Sequence, residues 1–344
     1  MVHVTYVGNF LSAHGINPTY AEALAPRLAS DRIKVRTASD RLHAASRLLD
    51  TIRAVLATPR RGSCLIIDLC SGPRAFPAAL LTCGLAHLRR RPYILALHGG
   101  DLPTRLRTSR AQLLYMIRHA HRVVSPSAYL AHAFAGYATV EVIPNAIVVS
   151  DYPFAARAQP RPHFLYLRAF HPVYDPETAL RAFAQVRAHH PEARMTMAGP
   201  DVTGLQAQCQ ELAASLGLSA CVSFPGRLPK TAIPALGQEH DILVNSSLRD
   251  NTPVSTIEAM TMGMAIVATT VGGLPYLLRD GETALLVPPG DAESMAEAMR
   301  RLLEEPGLAR RLSENARAEA ERMDWSTVLP RWRELVEMAA AQAA

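Results

Sequence analysis

Lysine is almost missing from this chain: of 36 Lys+Arg only Lys34 and Lys230 are lysines, so the basic surface is an arginine surface. Cysteine is sparse and odd in number. Cys64, Cys70, Cys83, Cys209 and Cys221 include no Cys-x-x-Cys spacing, which argues against a disulfide framework and a structural zinc and leaves reduced, small core residues. Long apolar runs are missing too: the longest, Ala75–Leu88 (AFPAALLTCGLAHL), holds a Pro and a His and falls short of the roughly 20 residues a spanning helix needs. The opening MVHVTYV alternates toward a strand and offers no charged region followed by an apolar one, so no signal peptide is expected and the cytosol is the expected compartment. There is no G-x-G-x-x-G, which removes the main support for a dehydrogenase, and no Asp-x-Asp to hold a metal. No tandem repeat, low-complexity tract, zinc finger, RNP-like motif or aromatic-interleaved basic tract is present, so nucleic acid ranks last among partners.

What is there is ample material for a core. The 344 residues are 49% apolar and 19% charged, and the length fits two domains. Net charge is +6, unevenly spread: residues 1–150 carry 18 Lys+Arg against 7 Asp+Glu, +11, and residues 151–344 carry 18 against 23, −5. A basic first half could attract an anionic membrane surface or a phosphorylated substrate; an arginine-coated soluble surface fits as well.

Short β-branched or apolar runs alternate with helical stretches. Strands are expected at Val2–Val7, Ile33–Thr37, Cys64–Leu69, Tyr93–Leu97, Arg122–Ser125 and Val140–Ile143. After a proline-bearing linker (VSDYPFAARAQPRPH) they resume at Phe164–Arg168, Met195–Gly199, Cys221–Phe224, Asp241–Asn245, Ala265–Ala268 and Ala284–Val287. Helices are expected at about Pro176–Ala188, Leu205–Leu216, Pro253–Met262 and Ala292–Leu303, with a helical tail from Trp325. The pattern is α/β: two doubly wound sheets in tandem, each taking ligands beyond the carboxyl ends of its strands, so that two facing ends make a cleft.

Candidate chemistry sits at those ends. The first strand leads into Gly8, Gly15 and Asn17-Pro18, a cap-and-proline start to a helix where a phosphate could approach; from this stretch alone an ordinary turn is the stronger reading. His98 follows a strand and precedes Gly99-Gly100, a place for a hydrogen-bond donor or general acid or base; a turn histidine fits equally by position, and the glycines favour function. Arg168 ends a strand where a guanidinium can grip a phosphate in bidentate fashion, and Gly199 in AGPD leaves room for backbone approach. In SSLRDNTPVSTIEAMTMG, Asn251 or Thr252 is expected to cap a helix starting near Pro253 and Val254, whose first N–H groups suit a diphosphate. Glu258, on the side shared with Val254, could accept the two hydroxyls of a ribose, and Asp250 those of a sugar beyond the diphosphate. A capped surface helix with a chance glutamate is the alternative.

The run DNTPVSTIEAMTMGMAIVATTVGGLPYLLRDGETALLVPPGD resembles the donor-site signature of family 4 glycosyltransferases, and VIPNAIVVSDYPF, LYLRAFHP and the N-terminal glycine loop extend the resemblance to nearly the whole chain. It implies the GT-B fold: an acceptor-binding Rossmann-like domain at residues 1–152, a nucleotide-sugar-binding one at 153–324 facing it across a cleft, and a helix at 325–344 crossing back to the first. It implies retaining, metal-independent hexosyl transfer from a nucleotide diphosphate sugar, UDP ahead of GDP because many relatives use it, with no cofactor. Asp250 and Glu258 fall on the family's E-x7-E motif, with aspartate in place of the first glutamate. Arg168 matches the diphosphate-binding arginine, Tyr174 stands where the partner lysine belongs, and Arg227 is the nearby group that could replace that cation. His98 matches the histidine that contacts the donor sugar, and Gly15 the glycine loop.

On this resemblance His98, Arg168 and Asp250 carry catalysis, while Gly15, Arg168, Gly199, Arg227, Asn251, Thr252, Pro253, Val254 and Glu258 bind the donor. The expected partner besides the donor is a glycan or lipid-linked acceptor in cell-surface polysaccharide or glycolipid synthesis, reached at the cytosolic face of a membrane. A nucleotide-sugar-binding protein that has lost catalysis is the alternative; a GT-B epimerase or phosphorylase fits the Asp250–Glu258 pair less well. Two segments could lie on a membrane, Arg105–Arg122 (RLRTSRAQLLYMIRHAHR) and Ala75–Leu88 with the arginines after it. Core-facing helices explain both equally.

Overall fold

The computed structural model describes residues 1–15 and 18–342 and divides into two units, Met1–Asn145 with Trp325–Ala344, and Ala146–Asp324. The division falls ahead of the boundary read at residue 152, because the segment after Asn145 pairs with the end of the second unit: Ile147 N–H donates to Met323 O at 3.0 Å and Val149 N–H to Asp324 Oδ2 at 2.9 Å.

In the first unit β1 (Val2–Val7), β2 (Ile33–Ala38), β3 (Ser63–Leu69), β4 (Tyr93–Leu97), β5 (Arg122–Ser125) and β6 (Val140–Val142) form one parallel sheet in the order β2-β1-β3-β4-β5-β6. β4 is buried along its whole length, as a central strand covered on both faces must be. Helices Ala44–Ala57, Ala75–Leu88 and Arg110–His119 neighbour one another in sequence of packing, while Tyr20–Leu28 packs with the terminal helix Trp325–Ala341, which also lies on β1 and β3. The terminal helix thus belongs to the first unit, anchored by buried Trp332, Leu335 and Val336.

The second unit holds β7 (His163–Leu167), β8 (Arg194–Ala198), β9 (Val222–Gly226), β10 (Ile242–Asn245), β11 (Ala265–Thr269) and β12 (Leu285–Val287), again parallel, in the order β12-β11-β10-β7-β8-β9. This is the dinucleotide-fold order, in which the progression of strands switches from one side to the other between β7 and β10 while every strand stays parallel. The loops that leave those two strands therefore flank the crevice where such sheets bind ligands.

All twelve expected strands form, and the differences lie at their ends. Arg168 and Gly199 stand just past β7 and β8 instead of closing them. The helix after β10 is Val254–Met262 with Pro253 as its N-cap and no side-chain cap bond, so neither Asn251 nor Thr252 caps it. Helix Tyr20–Leu28 starts on Thr19, whose N–H donates to Glu22 Oε2 at 2.8 Å. The expected cap at Asn17 is therefore displaced, and Asn17 itself lies outside the described residues. Arg105–Arg122 is not one amphipathic helix: it breaks at Ser109 into Leu102–Thr108 and Arg110–His119, and Leu113, Leu114 and Ile117 are buried in the first unit's core.

Candidate functional site

The loops that leave β7 and β10 each bring a charge to the carboxyl edge of the second sheet. Arg168 Nη2 lies 2.7 Å from Asp250 Oδ2, both side chains largely buried. A second restraint comes from the position expected to hold a lysine. The Tyr174 ring lies under the Arg168 guanidinium, 4.0 Å from its centroid, so the residue stacks on the cation. Asp250 is fixed in turn, accepting from Asn251 N–H at 2.9 Å and Ser247 Oγ at 3.3 Å. A carboxylate with these donors and a paired guanidinium is oriented before any ligand arrives.

Glycines are required where these loops meet. A Cβ on Gly199 would stand 1.9 Å from the Arg168 carbonyl oxygen, and one on Gly273 1.9 Å from that of Asn251. Gly199 thus packs directly against the backbone that carries Arg168. Gly273 N–H donates to the Asp250 carbonyl at 3.1 Å, tying the loop after β11 to the loop after β10.

Glu258 occupies the first helical turns beyond, almost wholly buried. Its Oε1 accepts from Tyr152 Oη at 2.8 Å and stands 2.5 Å from Lys230 Nζ. Burial, and then the Glu258 charge, push the Tyr152 phenol far above its ordinary range, so it stays protonated and donates. Lys230 is half-exposed and Glu258 is not, so the pair reaches from solvent into the site. Asn251, Thr252 and Pro253 are buried at the helix start, and Val254 is exposed. Arg227 is exposed in the loop after β9, and Lys230, three residues on, is set on the Glu258 carboxylate.

In the first unit His98 follows β4, and its Nε2 comes within 3.2 Å of Asp68 Oδ1 on neighbouring β3, off the line of a well-formed hydrogen bond. Gly8 lets Asp68 approach: a Cβ there would stand 2.6 Å from Asp68 Oδ2. Gly15 closes the turn Ser12–His14 at φ +77°, with nothing within 4 Å of a Cβ, so glycine answers a backbone need there. Among the described residues no group of three or more His, Cys, Asp or Glu is arranged to hold a metal ion.

The sequence singled out Arg168, Asp250 and Glu258, which the structure places just past β7, in the loop after β10 and in the helix that follows; it did not single out the Tyr152, Lys230 and Asp68 side chains that lie against candidate residues. Lys230 carried a signal, as a lone lysine in an arginine-rich half. Tyr152 stands in a proline-bearing linker with no periodicity and carried none. Tyr174 was read for the charge it lacks, and the structure shows the contact it makes.

Residues 152–319 match the family described as Glycosyl transferases group 1. Over 160 residues the chain is 34% identical to the D-inositol 3-phosphate glycosyltransferase of Rhodococcus jostii (strain RHA1), an alignment spanning 45% of this chain and 35% of that protein. The chain therefore spans about a third of the length of that curated relative. Sucrose-phosphate synthase from Thermosynechococcus elongatus superposes with a TM-score of 0.79 at 17% identity, covering 99% of this chain and 100% of the other. HepE from Anabaena, solved in complex with UDP and glucose, superposes with a TM-score of 0.75 at 18% identity, covering 98% and 100%. At such identities the structural likeness is one of fold, the GT-B fold.

Proposed function

We propose, on the match of residues 152–319 to the Glycosyl transferases group 1 family, that the chain is a retaining glycosyltransferase that moves a hexose-type sugar from a nucleotide diphosphate sugar, UDP before GDP, to a glycan or lipid-linked acceptor. The observation that carries the reading is the Arg168–Asp250 pair at the point where the strand order of the second sheet switches sides, with Glu258 in the helix that follows. A diphosphate seated on the start of helix Val254–Met262 meets the N–H groups of its first turn and the Arg168 guanidinium, and a ribose diol would donate to Glu258 in place of its Tyr152 and Lys230 partners.

In this reading the bond from the anomeric carbon to the β-phosphate oxygen breaks and a bond to the acceptor oxygen forms on the same face of the sugar. The acceptor hydroxyl proton passes to the departing β-phosphate, and Arg168 and the helix start stabilise the charge that develops there. Asp250 orients Arg168 and accepts sugar hydroxyls. These groups supply the chemistry without a metal or cofactor. The first unit, with its +11 excess over residues 1–150, is the acceptor side, working at the cytosolic face of a membrane in cell-surface polysaccharide or glycolipid synthesis.

A second reading, a nucleotide-sugar binder without catalysis, draws on Tyr174 in the lysine position and the short Asp250 side chain. Incubation with UDP-, GDP- and ADP-sugars, followed by nucleotide release, separates the two. Slow donor hydrolysis supports transfer; tight binding with no turnover, even with lipid extracts as acceptor, refutes it. A Tyr174→Lys variant that turns over where the parent does not would mark the lost cation as the cause.

A further inference from the structure

Helix Ala44–Ala57 is folded with its largest apolar side chains outward. Its fully buried residues are the small Ala54 and Val55, while Leu49 is 54% and Leu56 45% exposed. The neighbouring helix Ala75–Leu88 buries Phe76, Ala79, Cys83 and Ala86 and leaves Leu81 47% and Leu88 77% exposed. Leu49 and Leu56 in the one helix, and Leu81 and Leu88 in the other, are seven residues apart, close to two full turns, so each pair lies along one side, with Leu48, also exposed, beside the first. The helices pack against each other in the first unit, so their outward sides form one surface. Its charged fringe is predominantly basic: Arg53, Arg60, Arg89 and Arg90 are exposed, against Asp50 as the sole acid within residues 41–61 and 74–90.

We infer that this two-helix face docks on an anionic phospholipid bilayer, with the leucines entering the headgroup boundary and the arginines gripping lipid phosphates. A surface helix ordinarily buries leucine and shows arginine to water, and contiguous exposed leucines mark a partner. Leucine within an arginine fringe is complementary to a lipid surface, where guanidinium pairs bidentately with phosphate. It is not complementary to a second copy, since a two-fold interface would set the arginines against themselves. The inference deepens the membrane part of the proposed function and rests on that reading only there; it chooses between the two membrane candidates of the sequence, since the leucines of Arg110–His119 are spent on the core.

Co-sedimentation with vesicles tests it: phosphatidylcholine alone, or mixed with phosphatidylglycerol, at low and high salt. Partitioning at least about tenfold stronger onto the anionic vesicles and weakened by salt is expected. Leu49→Ser/Leu88→Ser should remove the part that survives high salt, and Arg53→Gln/Arg89→Gln the salt-sensitive part, each with an unchanged melting curve. Equal partitioning onto both vesicles, or variants that bind like the parent, overturns the proposal. So does a dimer that the leucine variant dissociates in a protein that ignores vesicles. Vesicle binding without any stabilisation by UDP supports this surface and counts instead against the donor-site reading.

Discussion

Arg168 is held from two sides, by the Asp250 carboxylate at 2.7 Å and by the Tyr174 ring at 4.0 Å, and the two contacts do different things. The carboxylate sets the direction of the guanidinium; the ring restrains its plane. Tyr174→Phe keeps the stack and should leave kcat/KM near the parent value. Tyr174→Ala removes about 0.5–2 kcal/mol of cation–π attraction, so kcat/KM should fall roughly two- to thirtyfold. Equal activity in Tyr174→Ala and parent would show that the ring does nothing for the arginine. Glu258 makes a separate prediction, about binding. Charged hydrogen bonds of roughly 1.5–3 kcal/mol each are lost in Glu258→Ala, so UDP affinity measured by calorimetry should drop at least about tenfold. Unchanged affinity would remove the ribose assignment. At this scale the sequence was legible where chemistry was carried by charge, as at Arg168, Asp250 and Glu258. It was opaque where a side chain matters by the surface it offers, because nothing in the spelling of Tyr174 says that a guanidinium will rest on it.

Elements were read well because alternation between short apolar runs and helical stretches leaves a parallel sheet little freedom, and every β-strand fell where the pattern put it. Ends were read less well. Asn251 and Thr252 look like helix caps by residue type, yet Pro253 holds that place because the loop after β10 is pinned elsewhere, through Asn251 N–H on Asp250 and the contact of Gly273 with Asn251. The glycine at 199 shows how a loop can be set by backbone contact alone. A methyl group there meets the Arg168 carbonyl at 1.9 Å, and neither partner is a flexible side chain that can turn away. Gly199→Ala should therefore lower stability by about 1–3 kcal/mol in urea unfolding and weaken donor turnover beyond what the stability loss explains, since the displaced chain carries Arg168. Gly15→Ala meets no neighbour and should cost only about 1–2 kcal/mol of left-handed strain. A harmless Gly199→Ala would mean that the two loops adjust independently.

Each unit of the molecule has its own parallel sheet, and the last helix is assigned by packing to the unit farthest from it in sequence. That assignment could be expected only from the resemblance, since nothing local in WSTVLPRWRELVEMAAAQAA names the surface it covers. The structure supplies the reason: Trp325 stacks on Tyr20 at 5.6 Å, Arg27 lies over the Trp325 ring, and Trp332 Nε1–H donates to Tyr20 Oη at 3.2 Å. Two units with separate cores should unfold in calorimetry as two transitions with different sensitivities. Trp332→Ala removes a buried indole at a cost of about 3–5 kcal/mol and should lower only the transition of the first unit. UDP at a hundred times its dissociation constant should stabilise the second unit by about 2.7 kcal/mol, a rise of roughly 5–10 °C for a unit of this size, and leave the Trp332-sensitive transition where it was. A UDP shift confined to the Trp332-sensitive transition would move nucleotide binding to the first unit and refute the donor site at Arg168, Asp250 and Glu258.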